Sequence, residues 1–486
     1  MMHLMLHIFK KDARRLRWAI ALALLLQVAV AYVDATRNSA YPGMQEGWVT
    51  ILLLVTWASL IALAVHEDSL VGDRQFWISR PYRWPMLLGA KLLFATAFVH
   101  APSFLADAVI LGARGFHPWE WIPHLLAKQL MLAAALTLPV MAMAAVLQNF
   151  AQLALTVVLI GAVIGNRVAF VADVFMSSWL AGLRVILLDG FLVAPFVLSV
   201  AIILLQFARR QTWRSRILGI VSVVVVVLLF SFVSPIFISR AQAALDPGDS
   251  RISIELGAMP APGDLPDTFE PHPYREDNRW AELKLPLHIA GIPAGVRTYF
   301  MTTEFELTAP DGRRYKDQIE PHGLGGHWLL LRVRRALFDK IKNTNVELKV
   351  TAVALLFRRG ETTTLPLESN RPVPLVGRCY SEVVEDKDRL GDGFGALRAV
   401  CESPAGFPLP PDIFLRQSGG TAIGPILTEY APSLSPISRV QNSFSLRQEQ
   451  FDSAAASKLS ITPNIARGWQ VVKVDLRNLH LSDYVY

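Results

Sequence analysis

Residues 185–207 read VILLDGFLVAPFVLSVAIILLQF, residues 217–238 read ILGIVSVVVVVLLFSFVSPIFI, and the nonapeptide between them, ARRQTWRSR at 208–216, carries four arginines. A hydrocarbon core about 30 Å thick is crossed by roughly 20 apolar helical residues, so each run is long enough to span it. The pair therefore reads as a membrane hairpin. Its arginine-rich connection is expected on the cytoplasmic side, where Lys and Arg next to a span are retained. Upstream, five more stretches read the same way: 18–33, 48–65, 85–112, 122–147 and 151 to about 165. The expectation is seven crossings. The third is expected to be interrupted by Lys91, His100, Pro102 and Asp107.

Composition agrees with the hairpin. The chain is 52% hydrophobic and 18% charged, with a mean hydropathy of +0.36, above what a soluble domain needs to fill its core. Residues 1–240 hold 19 Lys and Arg against 10 Asp and Glu, whereas residues 241–486 hold 28 against 30. The basic surplus thus belongs to the apolar half, and nucleic acid is excluded as the expected partner. An N-terminus inside puts twelve Lys and Arg of the short loops in the cytoplasm and only Arg37, Arg114, Arg167 and Arg184 outside. Seven crossings from that start leave residues 241–486 outside the cell membrane. A secretory signal would place that half on the same side, and the small residues near Ala35 and Ala40 leave this alternative open. The apolar prefix ahead of the basic cluster, with Leu4 and Ile8, and Met5 and Phe9, at helical spacing, instead suggests an interfacial helix on the inner leaflet.

The three expected regions are a transmembrane domain at 1–240, a Pro-rich linker at 241–279 and an extracytoplasmic domain at 280–486. Prolines 260, 262, 266, 271 and 273 mark the linker. Beyond it, Leu283, Leu285, Leu287 and Ile289 alternate with polar or turn residues, and Val346, Leu348, Val350, Ala352 and Ala354 do so again, followed by Val472, Val474 and Leu476. A period of two is that of half-buried strands. The fold class is thus a helical polytopic domain followed by an all-β, sandwich-like domain, with room for one elaborated sandwich or two.

Catalytic patterns are absent from the sequence. There is no P-loop, so ATP would be bound elsewhere and the chain itself needs no cofactor. His66-Glu67 lacks the second histidine of a zinc protease, the Asp386–Gly391 stretch lacks the ligands of a calcium loop, and His322 and His327 have no third ligand. Among ionisable residues inside the apolar spans, Lys91 and Lys128 are near enough to helix ends to snorkel. His100 and Asp107 lie deeper and are candidate substrate-path residues, since charge inside a span is costly and often functional. Cys379 and Cys401 flank two strand patterns and are expected to form a disulfide in an oxidising compartment.

The stretch from His66 to Arg83 mixes Phe76, Trp77 and Tyr82 with Arg74, Arg80 and Arg83 around Pro81, a composition suited to a docking surface as well as to an interfacial aromatic belt. It resembles the cytoplasmic loop of ABC-2 type transporter permeases. In these, an acidic residue closes the second helix and a Ser-Arg-Pro-basic segment leads to a lysine early in the third. Glu67, Arg80, Pro81, Arg83 and Lys91 match that pattern, over roughly residues 1–210. The resemblance implies a multi-pass permease that exports its substrate, pairs with itself or a sister permease, and is driven by a separate cytoplasmic ATPase gripping Glu67, Arg74, Phe76, Trp77, Arg80, Pro81 and Arg83. The seventh crossing and the β domain lie outside the family core. A membrane-anchored sensor or adhesion protein, with a ligand-binding β domain, is the alternative.

Overall fold

The computed structural model describes residues 2–36, 44–68, 83–157, 186–232, 240, 243–244, 247–248, 252–257, 280–319, 328–367, 369–384, 394–404, 411–416, 422–425, 427–431, 435–447 and 457–484. Its N-terminal part is helical: α1 (Met2–Arg15), α2 (Arg17–Thr36), α3 (Met44–His66), α4 (Trp84–Ala95), α5 (Ala101–Ala113), α6 (Ile122–Leu132), α7 (Leu138–Val146), α8 (Ile186–Arg209) and α9 (Thr212–Phe232). Four helices among the described residues are long and apolar enough to cross a membrane: Arg17–Thr36, Trp48–His66, Trp84–Ala113 and Pro118–Val146. Most of the expected fifth crossing lies outside the described residues. Large apolar side chains such as Leu25, Val28, Ile51, Leu105, Val109 and Leu130 are exposed on these helices. Large apolar side chains exposed in such number on long helices are suited to lipid rather than water.

The third crossing is not broken, contrary to the expectation from His100 and Pro102. A π-helical turn, Thr96–His100, joins α4 to α5, and the Ala101 amide donates to the Thr96 carbonyl. Proline has no amide hydrogen and its ring displaces the carbonyl one turn earlier. Widening that turn absorbs the displacement and lets the helix continue. The fourth crossing repeats the device, with the π-turn Ala133–Thr137 two residues ahead of Pro139 and the Leu138 amide bonded to the Ala133 carbonyl.

Beyond the helical part, the described residues are mostly β-structure in two sandwiches, with one short helix, Arg335–Ile341, and a 3-10 turn, Leu481–Tyr484. The first faces a sheet of β1 (Ser253–Leu256), β2 (Trp280–Ala290) and β5 (Trp328–Arg334) with a sheet ordered β16 (Asn464–Leu479), β6 (Val346–Arg359), β3 (Val296–Thr308), β4 (Arg314–Ile319). The alternating Leu283, Leu285, Leu348, Val350, Ala352 and Val472 supply its core. β1 lies within the stretch read as linker; the linker prolines lie outside the described residues. The second sandwich is an excursion between β6 and β16. One sheet is ordered β13 (Leu427–Ala431), β14 (Ser438–Arg447), β10 (Phe394–Ser403), β9 (Gly377–Val384), β8 (Arg371–Val373) and the other β12 (Ala422–Ile423), β11 (Asp412–Arg416), β15 (Lys458–Thr462), β7 (Thr363–Pro366). Cys379 and Cys401 face each other across β9 and β10 and are joined in the expected disulfide, inside the core of Val373, Leu397, Leu415, Val440 and Phe444.

By its contacts the chain divides into two compact units. One joins residues 1–233 to 362–463, and the other joins 234–361 to 464–486. The second sandwich therefore packs with the helices and the first sandwich is a unit of its own, a discontinuity that composition along the chain does not reveal.

Candidate functional site

Three polar constellations lie inside the helical unit. The first is built on α1, whose apolar face buries Ile8 and stacks Phe9 on Phe98 with ring centroids 5.7 Å apart. On the same helix, Asp12 is fully buried. Lys91 in α4 donates to Asp12 Oδ2 and to Asp68 Oδ2, both at 2.7 Å. Lys11 donates to Asp68 Oδ1 at 2.6 Å and Arg15 to Glu67 Oε2 at 2.5 Å. Three cations and three carboxylates balance. Lys91 is only 3% exposed, so it does not snorkel as its position in the sequence suggests. Two carboxylates within reach satisfy the ammonium without its extending to the headgroups. Burial by itself would raise the Asp68 carboxyl, but the Lys91 charge and the bonds from Lys11 and Lys91 outweigh it and hold it below its ordinary value. Burial would likewise lower Lys11, and its bond and charge contact with Asp68 reverse that.

These ion pairs tie Glu67 and Asp68, just before residue 69, and Lys91 of α4 to the one helix α1. Arg83 is in an extended conformation, directly ahead of α4, with Pro85 in the first helical turn. Arg74, Phe76, Trp77, Arg80 and Pro81 lie outside the described residues. Sequence reasoning named Glu67 and Lys91 but missed Asp12 and Asp68. The available signal was Asp12 as the lone acid of a basic helix.

The second constellation joins the third and fourth crossings. His100, Ser103 and Asp107 fall on one face at helical spacing. His100 Nδ1 bonds Gln129 Oε1 at 3.1 Å and Nε2 bonds Thr137 Oγ1 at 3.0 Å, so the histidine links the two π-turns. Gln129 Nε2 donates to Ser103 Oγ at 3.3 Å, and Lys128 donates to Asp107 Oδ1 at 2.8 Å. Lys128 too is paired rather than snorkelled. Asp107 Oδ2 is buried and accepts no hydrogen bond among the described residues. The two expected substrate-path residues thus lie on one polar stripe about 10 Å long, from the helical rise over seven residues.

The third constellation was not foreseen. Asp34, at the far end of α2 from Asp12, accepts Arg439 Nη1 at 2.7 Å on Oδ1 and Ser435 Oγ at 2.5 Å on Oδ2. Its backbone carbonyl accepts Arg439 Nη2 at 3.1 Å and Arg114 Nη2 at 3.2 Å. Glu402 accepts Arg439 Nε at 2.9 Å and lies 3.5 Å from Arg114 Nη1. Desolvation would lower the Arg439 guanidinium, yet Asp34 and Glu402 raise it further above its ordinary value. Burial, then the Glu402 charge, pushes the nearby Tyr380 phenol up to about 12.

No family model, curated protein or solved structure matches this chain. Function therefore rests on the three constellations. Among the described residues no group of three or more His, Cys, Asp or Glu is arranged to hold a metal ion. The described residues thus carry an ion-paired cluster at one end of the bundle, a polar seam in its middle, and a charged contact with the second sandwich at the other.

Proposed function

We propose that this chain is the permease subunit of an ABC-2 type exporter. In this reading it crosses the cell membrane seven times from a cytoplasmic N-terminus and carries its β-structure outside. It pairs with itself or a sister permease around the translocation path. A separate cytoplasmic ATPase grips the loop from Glu67 to Arg83, and the permease contributes no chemistry of its own; ATP binds the partner. Hydrolysis is converted into rocking of the helices.

The observation that carries this reading is Lys91 held between Asp12 and Asp68. A force applied to the loop reaches α1 through Glu67 and Asp68 and the third crossing through Arg83 and Lys91, because charges paired in a poorly solvated site separate only at high cost. A loop that merely connected two spans has no need of such a joint. The π-turns support the same reading: they are places where a long helix changes pitch, and such turns are frequent at functional sites. Cys379–Cys401 supports the placement outside, where disulfides persist.

The test is co-purification. Trp77 is the aromatic anchor of the loop, and truncation of such an anchor typically lowers affinity about thirtyfold. Trp77→Ala and Arg80→Glu are expected to release or uncouple the ATPase that co-purifies with the native protein, with insertion and disulfide intact. ATPase association and transport-linked hydrolysis unchanged in both variants would refute the docking role. A ligand bound by the β domain with no ATPase partner would favour the sensor alternative.

A further inference from the structure

We propose that the second sandwich is a latch on the helical bundle: through Asp34 it holds the end of the first crossing against the end of the third, and these ends part when the Arg439–Asp34 pair breaks. This rests on the permease reading only for its placement at the outer mouth.

The contacts converge on two helix ends. Arg439 and Ser435 of the sandwich bind the Asp34 carboxylate at the end of α2. Arg114, immediately after α5, binds the Asp34 carbonyl and approaches Glu402 of β10, so it touches both the first crossing and the sandwich. Arg378 of β9 donates to the Gly115 carbonyl at 3.0 Å. Gly115 has a φ of +79°, and a Cβ there would stand 1.8 Å from Arg378 Nη1, so the approach requires glycine. Between these polar contacts Ile437 is completely buried among Ile110, Leu111 and Leu125 of the third and fourth crossings.

Release leaves neither side stranded, which separates a latch from permanent glue. Glu402 and Arg439 are register partners on neighbouring strands, so Arg439 keeps its 2.9 Å bond after Asp34 departs. Asp34 is two residues from the end of α2 and gains water there. A buried charge stranded alone is costly; on release Arg439 stays paired with Glu402 and the Asp34 carboxylate passes to water, so neither is stranded in the interior. Motion at Arg114 has a route inward. Asp107 and Ser103 lie about two and three turns below it along α5, and the Thr96–His100 π-turn directly precedes that helix.

The test reads opening directly, in the full-length protein and without any ATPase. Ser103→Cys is a buried reporter on α5, and the two native cysteines are occupied by their disulfide. Labelling of position 103 by a charged, water-soluble maleimide is followed by mass spectrometry of its own peptide. Asp34→Asn and Arg439→Gln are each expected to raise the initial rate about fivefold or more, as local opening becomes easier. Because single variants can also unfold, a second arm uses Asp34→Cys with Ser435→Cys, whose side chains meet. Oxidation to the cross-link is expected to bring labelling at 103 to or below the native rate, and the uncross-linked form of the same protein to label faster. Rates within twofold of native in both single variants, or a rise in the uncross-linked double-cysteine protein that the cross-link does not reverse, would overturn the latch. Loss or retention of a bound ATPase does not enter this readout, so the latch and the permease reading fail separately.

Discussion

Asp12 has no access to water, and its charge is tolerated because Lys91 lies 2.7 Å away. Removing the lysine leaves Asp12 and Asp68 facing a site with one cation fewer. Breaking a buried pair in this way typically costs about 3–5 kcal/mol. Lys91→Ala is therefore expected to lower the unfolding midpoint of the solubilised protein sharply, and adding Asp12→Asn to recover part of the loss. Recovery identifies stranded charge, rather than lost packing, as the cause. The pH dependence follows from the shifts at Asp68 and Lys11. Asp68 is held below its ordinary 3.8, so its contribution is complete above that pH and is lost as pH falls through the lower folded-state value. Lys11 is raised above 10.5, so its contribution is complete below that pH and is lost as pH rises through the higher one. The destabilisation caused by Lys11→Met is accordingly expected to be constant from about pH 5 to about pH 9, measured by thermal melting against native protein.

At the scale of elements, the ends of helices carry more information than their lengths. α5 stops in a glycine cap: the Phe116 amide bonds the Leu111 carbonyl and the Gly115 amide bonds the Gly112 carbonyl. A left-handed residue at that position is the usual way to close a helix. Here the missing side chain also admits Arg378. Gly115→Ala imposes a positive φ on an L-residue, about 1–2 kcal/mol, and displaces a hydrogen bond worth about 1 kcal/mol. A destabilisation of about 2–3 kcal/mol is expected in denaturant melting, from those same two principles. Gly112→Ala, four residues from the cap's far bond and with open space at its Cβ, is expected to be near neutral by the same measurement. The comparison separates the left-handed cap and its Arg378 contact, taken together, from the mere addition of a methyl group at the same helix end.

At the scale of the molecule, the sandwich that packs with the helices is reached by leaving and re-entering another sandwich: β6 ends at Arg359 and its neighbour β16 begins at Asn464. The pairing of Asn464 with Arg359 brings the two ends of the excursion together, which is the condition under which a domain is inserted without disturbing its host. The permease reading fixes the side on which both sandwiches lie. On that reading, which keeps twelve basic residues of the short loops inside and counts seven crossings, alkaline phosphatase fused after residue 245 is expected to be active. An inactive phosphatase there, with an active cytoplasmic reporter at the same junction, would reverse the orientation.

Apolar runs of crossing length, strands of period two and a cysteine pair were legible in the sequence because each is a local property: a helix or strand writes its own period, and a disulfide needs only two thiols in adjoining strands. Leu283, Leu285, Leu348 and Val350 are buried as their alternation requires. Charge was legible only as a sum. Sequence placed Lys91 and Lys128 near helix ends and therefore in reach of headgroups. The fold instead put Asp12, 79 residues away from Lys91, and Asp107, 21 away from Lys128, within bonding distance. The same holds for Asp34 and Arg439, 405 residues apart. His100 and Pro102 read as a break because proline forbids an α-helical bond, and only the paired crossing, with Thr137 in place to bond His100, made the wider π-turn the better solution. The sequence alone determined that apolar helices precede period-two strands; which charges meet, and which sandwich belongs with the helices, was decided by tertiary structure, because an ion pair depends on distance through space and leaves no period along the chain.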